Sequence, residues 1–168
     1  LPLGKLILTA FIATLIFVCI TYLPIIKLIG MKISDYLKGA FEPWLIAFTT
    51  CSSAAALAVN LEASRKMGAS KAIASFAIPL GNTINMNGTS IYMGVTAVFA
   101  AEVFGIDLTL AQQFQIVLMG VLAAVGTAGV PGAGLIMTTL VFTEVGIPLG
   151  AVALIAGIDR ILDMIRTS

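Results

Sequence analysis

The sequence predicts an all-α, multi-pass membrane protein with two re-entrant helical hairpins and a spanning helix broken at its middle. Three observations predict it. Hydrophobic residues make up 60% of the chain and charged residues only 10%, against about 25% charged in a soluble domain. Two charge-free stretches, Pro43–Leu61 and Leu108–Thr143, carry turn residues in their interiors. Loops of one charge character bracket each stretch, so each enters the bilayer and leaves by the face it came from. A soluble helical protein would need polar outer faces, and these runs have almost none.

Residues 1–30 form the first spanning helix. Lys5 and Lys27 bracket Leu6–Ile26, which is long enough for a hydrocarbon core of about 30 Å. The first residue is Leu, and the apolar segment is too long, with the wrong flanks, for a signal peptide. Both chain ends are therefore expected to be cuts through a longer polypeptide. Lys27, Lys32 and Lys38 follow this span, and Arg65, Lys66 and Lys71 precede the next run. Both loops are cytoplasmic by the positive-inside rule. Residues 34–67 must then cross an even number of times, yet Gly39 to Ala63 is too short for two full spans. A re-entrant helix–tip–helix, with Ser52 and Ser53 at the tip, is the economical solution.

Residues 71–104 form a spanning helix interrupted within Gly81–Ser90, where two glycines accompany Asn82, Thr83, Asn85, Asn87 and Thr89. One such polar side chain can act as interhelical glue. A run of them beside glycine points to unwound backbone, which is tolerated at that depth only where protein buries it or water reaches it. Unwound backbone exposes carbonyl oxygens and half-helix ends, the hard-oxygen setting that Na⁺ requires.

Residues 108–146 form the second hairpin. Glu102, Asp107 and Glu144 mark its flanking loops as outer. The run is about twice as long as one span needs, with Gly126, Gly129, Pro131, Gly132 and Gly134 near its middle. The alternative is two complete short spans joined by a cytoplasmic turn. Such a turn ordinarily carries Lys or Arg, and residues 127–132 carry neither.

Residues 148–168 form one last helix, truncated at the chain end. At 100° per residue, Asp159, Asp163 and Arg166 share an arc of about 60°, with Thr167 and Arg160 on its flank. A charge at membrane depth costs about 2.5 kcal/mol or more, so the stripe needs partners or a wet cavity. A structural ion-pair stripe near the cytoplasmic end is the plain reading. The sharper one is recognition of a zwitterionic acid, with carboxylate facing ammonium and guanidinium facing carboxylate. A second carboxylate suits the half-helix N-terminus at Ser52 and Ser53. This pattern favours a solute transporter.

Other classes fit poorly. No basic cluster tracks a nucleic-acid backbone. Cys19 and Cys51 have no metal-ligand spacing and imply no disulfide. The chain has no His, so a proton relay would have to use carboxylates. An intramembrane enzyme built on Asp159 and Asp163 is disfavoured, because Arg166 beside them would hold both ionised. No cofactor is expected beyond coupling ions.

Ser52-Ser53, Asn85-Met86-Asn87-Gly88-Thr89, Gly126 through Gly134, Gly157-Ile158-Asp159 and Asp163-Met164-Ile165-Arg166-Thr167 resemble, in order and spacing, the glutamate/aspartate transporter family. Its members are also called dicarboxylate/amino acid:cation symporters. The resemblance covers essentially all of the chain and is of bacterial type. It implies the core of a mobile transport domain: sixth span, first hairpin, broken seventh helix, second hairpin and most of the eighth. It also implies a homotrimer in the cell (inner) membrane, taking up glutamate or aspartate by sodium- or proton-coupled alternating access.

Residue by residue, the resemblance makes Arg166 the ligand of the substrate side-chain carboxylate and Asp163 that of its amino group. Thr89 and Thr167 add side-chain contacts, and Ser52, Ser53, Val130 and Gly134 belong to the tips that hold the remaining groups. It places cations on carbonyls of Thr83, Ala124, Val125 and Thr127, and on those of Gly81 and Asn85. The second hairpin would be the outer gate, so that cation and solute stabilise one closed state. Three departures stand out. The family usually has Asp at the cation-ligand position held here by Asn87. Ala54 and Ala58 weaken the first-tip match. The chain also stops at Ser168, before an Asn and an Asp that the family places on the last helix. Relatives that carry plain dicarboxylates tend to lack the Asp at position 163, and neutral amino acid carriers tend to lack the Arg at 166. Related dicarboxylate or neutral carriers, and an anion-conducting relative that has lost coupling, remain the alternatives.

Overall fold

The computed structural model describes residues 2–168, which form nine helices. Helix α1 (Pro2–Leu28) has 27 residues, or about 40 Å at 1.5 Å per residue, and is long and apolar enough to cross a membrane. It stops at Gly30, whose left-handed φ of 76° lets the Met31 amide reach Ile26 and the Gly30 amide reach Lys27.

Helices α2 (Ile33–Thr50) and α3 (Ser53–Lys66) pack back on one another across a two-residue turn, Cys51–Ser52. Cys51 takes the left-handed conformation. Ser52 then caps α3, its hydroxyl oxygen accepting from the Ala55 amide at 3.1 Å. Helices α4 (Lys71–Ile84) and α5 (Asn87–Val103) leave only Asn85 and Met86 outside helical geometry. That gap is shorter than the Gly81–Ser90 region expected to hold it. Gly81 stays in the last turn of α4 and Gly88 in the first turn of α5, since a helix end accommodates residues that its middle disfavours.

Helix α6 (Leu110–Val125) begins with a capping box in which Thr109 and Gln112 satisfy each other's backbone amides. A glycine-rich turn, 126–132, leads to α7 (Ala133–Val145), which packs back on α6. The C-terminal segment differs from the single helix expected over 148–168. It divides into α8 (Gly150–Ala156) and α9 (Asp159–Thr167). The Ile158 amide bonds to Ile155 rather than one residue further back, a local tightening that a glycine at 157 makes easy.

The core centres on α5. Tyr92, Met93, Ala97, Ala100 and Ala101 are buried against Ile116 and Ala123 of α6, Val141 and Phe142 of α7, and Ile155 and Leu162 beyond. The alanines let neighbouring backbones approach closely. The opposite surfaces are apolar as well: Ile20, Phe76, Leu110, Phe114 and Ile136 are each at least 70% exposed. Water would penalise such a surface, whereas hydrocarbon does not.

Candidate functional site

Four elements converge on one end of α9. Asp159 and Asp163 lie one turn apart and are 7% and 3% exposed. Arg166 meets both, its Nη1 3.0 Å from Asp159 Oδ1 and its Nε 3.0 Å from Asp163 Oδ1. The guanidinium also lies over the Tyr92 ring, 4.2 Å from its centroid. The Tyr92 hydroxyl donates to Asp159 Oδ1 at 2.9 Å. Thr167 donates to Asp163 Oδ1 at 2.9 Å, and the Gly132 amide to Asp163 Oδ2 at 2.8 Å. Charges this deep in protein persist only when paired and hydrogen-bonded, and these are.

The pairing is incomplete on one side. Arg166 Nη2 and Ser53 Oγ are buried without a hydrogen-bond partner among the described residues. Both side chains belong to the lining of a cavity of about 310 Å³, a volume suited to a small solute. An unmet guanidinium N–H beside such a space is a ready donor for a carboxylate.

Glycines allow the parts to close together. A Cβ on Gly134 would sit 2.8 Å from the Arg166 Cζ. One on Gly129 would collide with the Ser53 hydroxyl, and one on Gly88 with the Arg166 carbonyl oxygen. The two turns also touch each other. The Gly129 carbonyl accepts from the Ser52 hydroxyl at 2.7 Å and from the Ala54 amide at 3.1 Å.

Most residues singled out in the sequence meet here. Asp163, Arg166, Thr167, Thr89, Ser53, Val130 and Gly134 line the cavity, as do Gly81, Asn85 and Thr127. Ser52 stands behind it, joining the turns. Of the residues assigned to cations, Thr83 is exposed and its hydroxyl donates to Pro79. Ala124 is buried and Val125 is 43% exposed, and both lie outside the lining. Their carbonyls, with that of Thr83, belong to the C-terminal turns of α4 and α6, where a helix's own amides run out, although the Ala124 carbonyl already accepts from the Thr127 amide at 3.1 Å. In donor chemistry these ends fit an oxygen-ligated monovalent cation. The Asn87 amide Nδ2 donates to Asn85 Oδ1 beside the break.

Sequence reasoning gave no role to Tyr92, and it marked Gly88 and Gly129 as break and turn glycines without their contacts. Tyr92 was discoverable, since it lies three residues past Thr89 on the same helix face, and a buried phenol needs a partner. The other two owe their importance to contacts between elements far apart in sequence.

The family profile described as the sodium:dicarboxylate symporter family matches residues 1–168. This chain belongs to that family. It is 36% identical over 168 residues to the proton/sodium-glutamate symport protein of Geobacillus stearothermophilus, covering 100% of this chain and 40% of that protein. It is 35% identical over 167 residues to the proton/glutamate-aspartate symporter of Escherichia coli (strain K12), covering 99% and 38%. A C4-dicarboxylate transport protein of Bacillus subtilis (strain 168) is 37% identical over 163 residues, covering 96% and 38%. The chain thus spans about two-fifths of the length of the relatives it matches. Members of the family are transporters rather than enzymes, and membership implies a membrane protein.

Proposed function

We propose that this chain is the solute-handling core of a symporter that couples uptake of an acidic amino acid to sodium ions or protons. The observation that carries this reading is the unpartnered Arg166 Nη2 beside a small cavity that Asp163 also lines. A guanidinium N–H and a carboxylate at one cavity wall complement the side-chain carboxylate and the ammonium of glutamate or aspartate. The other carboxylate goes to the first turn, where the Ser53 hydroxyl lacks a partner and α3 presents its N-terminus. Thr89 and Thr167 supply hydroxyls at the flanks.

In this reading α1 spans the bilayer, α2–α3 and α6–α7 are re-entrant hairpins dipping from opposite faces, and α4–α5 is one spanning helix broken at Asn85–Met86. The loops carrying Lys32 and Arg65 are cytoplasmic. The complete protein is a homotrimer in the cell membrane, working by alternating access with the 126–132 turn as its outer gate. The C-terminal carbonyls of α4 (Gly81, Thr83) and of α6 with its turn (Ala124, Val125, Thr127), together with that of Asn85, hold the coupling ions. When bound, these supply positive charge against an anionic solute.

Uptake of labelled aspartate and glutamate by the complete protein in vesicles, with imposed sodium and proton gradients, tests the proposal. Accumulation that needs a cation gradient, with unchanged amino acid recovered afterwards, is expected. Anion current without substrate accumulation would refute it. The likeness to a C4-dicarboxylate transport protein favours a second reading, uptake of a dicarboxylate lacking the amino group. Succinate competing as well as aspartate would select that reading, because Asp163 would then have no ammonium to bind.

A further inference from the structure

We propose that Arg160 is a positioning residue for solute length: it fastens the first turn to α9 and thereby sets the span between Ser53 and Arg166. This rests on the symporter reading above and concerns which acid the cavity prefers. Arg160 is exposed and does not line the cavity, and no carboxylate pairs with it among the described residues. Its Nη2 instead donates to the Thr49 carbonyl at 3.2 Å. Thr49 lies in the last turn of α2, where carbonyls outrun the helix's own amides and a cation has the favourable sign for the helix dipole. The contact is returned from the other side. Cys51 is 1% exposed, and its thiol lies 4.0 Å from the Arg160 carbonyl oxygen and 3.9 Å from that of Phe48. Residue 160 thus grips the end of α2 with its side chain, and the turn that follows grips residue 160 through its backbone.

Ser52 gives the first turn its shape by capping α3, but a cap inside the hairpin does not fix where the hairpin sits. Among the described residues, the hydrogen bonds joining the α2–α3 hairpin to α9 are those at residue 160. The same helix carries Arg166. At 3.6 residues per turn the two arginines leave α9 about 120° apart, one reaching the end of α2 and the other lying over Tyr92 at the cavity. One short helix therefore sets both ends of the solute's seat, Arg166 Nη2 directly and Ser53 Oγ through Arg160. Those two atoms lack partners and, in the reading above, meet the two carboxylates of the solute. Aspartate and glutamate differ between those carboxylates by one methylene, so a fixed span favours one acid and a slack span accepts both. The bond is one N–H on one carbonyl rather than a fork, so Lys can replace Arg here where an apolar side chain cannot.

The test compares wild type, Arg160→Met and Arg160→Lys of the purified complete protein, and reads the ratio of the Kd values for aspartate and glutamate. One methylene is worth about 10- to 200-fold in a shaped pocket, so the ratio should move toward one by about 10-fold in Arg160→Met and keep its wild-type value in Arg160→Lys. A ratio unchanged in Arg160→Met overturns the proposal whatever the separate affinities do, since a general loosening weakens both acids alike. A second readout needs no solute. In a background whose only cysteine is Cys51, alkylation of that thiol should be faster in Arg160→Met than in wild type or Arg160→Lys, and an unchanged rate also overturns the proposal. Should Arg160→Met fail to fold, Arg160→Gln, with its shorter stem, is judged by the same two criteria. Wild type binding neither acid would instead refute the acidic amino acid reading, and the Cys51 rate would still decide whether Arg160 holds the turn.

Discussion

The two turns that meet over the cavity are built in opposite ways. The first spans only Cys51 and Ser52, and its own side chain caps the helix that follows. The second spans residues 126–132 between α6 and α7 and has no side-chain cap at Gly132. Thr127 bonds back to α6 through its hydroxyl on Ala123 and its amide on Ala124, and the rest of the turn is held from outside, by the Ser52 hydroxyl and Ala54 amide on Gly129 and by the Asp163 carboxylate on the Gly132 amide. A short, self-capped turn keeps its shape when its neighbours leave. A glycine-rich turn held by three borrowed bonds does not, and regions that open are drawn from such low-stability segments. In the symporter reading proposed above, the first turn is the fixed wall and the second the part suited to move.

Removing the guanidinium at the centre of the site has the largest expected effect. Arg166→Ala should weaken aspartate binding at least about 100-fold, the scale for losing one partner of a desolvated charge pair. It also strands Asp159 and Asp163, so thermal stability should fall. Aspartate affinity unchanged in a calorimetric titration would dismiss the assignment. Gly134→Ala comes next, because its methyl would press on the guanidinium. An overpacking cost of about 1–3 kcal/mol corresponds to a loss of affinity of about 5- to 140-fold, readable in the same titration.

Ser52→Ala separates the turns. It removes the α3 cap and one of the two donors on Gly129, costing about 1 kcal/mol. Reactivity of a cysteine placed at Val130 should rise in this variant, while one placed in the first turn should change little. Equal rises would show that the two turns loosen together. Tyr92→Phe should act more gently, since the ring stays over Arg166 and only the bond to Asp159 is lost, at about 1 kcal/mol. The smallest effect belongs to the exposed Glu62–Lys66 pair. Glu62→Gln should leave both stability and binding unaltered within measurement, as surface ion pairs generally do.

Elements whose limits are set locally were legible in the sequence. The charged stripe of α9, both turn regions and the end of α1 follow from charge, glycine and helix periodicity. The division of the last helix was not foreseen, because Gly157 inside an apolar run is compatible with continuous helix and only packing decides. Tyr92 and the contacts of Gly88 and Gly129 stayed hidden for a related reason, each reaching α9 or α3. Asn87 illustrates the limit most clearly. The bonds linking it through Asn85 to Tyr22, 63 positions before Asn85 in the chain, cannot be read from its neighbours.

Gly88 rests directly against the main chain at Arg166, with no space for a methyl group between them. Two rods touching peptide to peptide have no lubricating side chains over which to slide or rotate. Any displacement of the broken helix must carry the arginine with it, as one stiff body. In the symporter reading proposed above, the break and the guanidinium would therefore cross the bilayer as one piece.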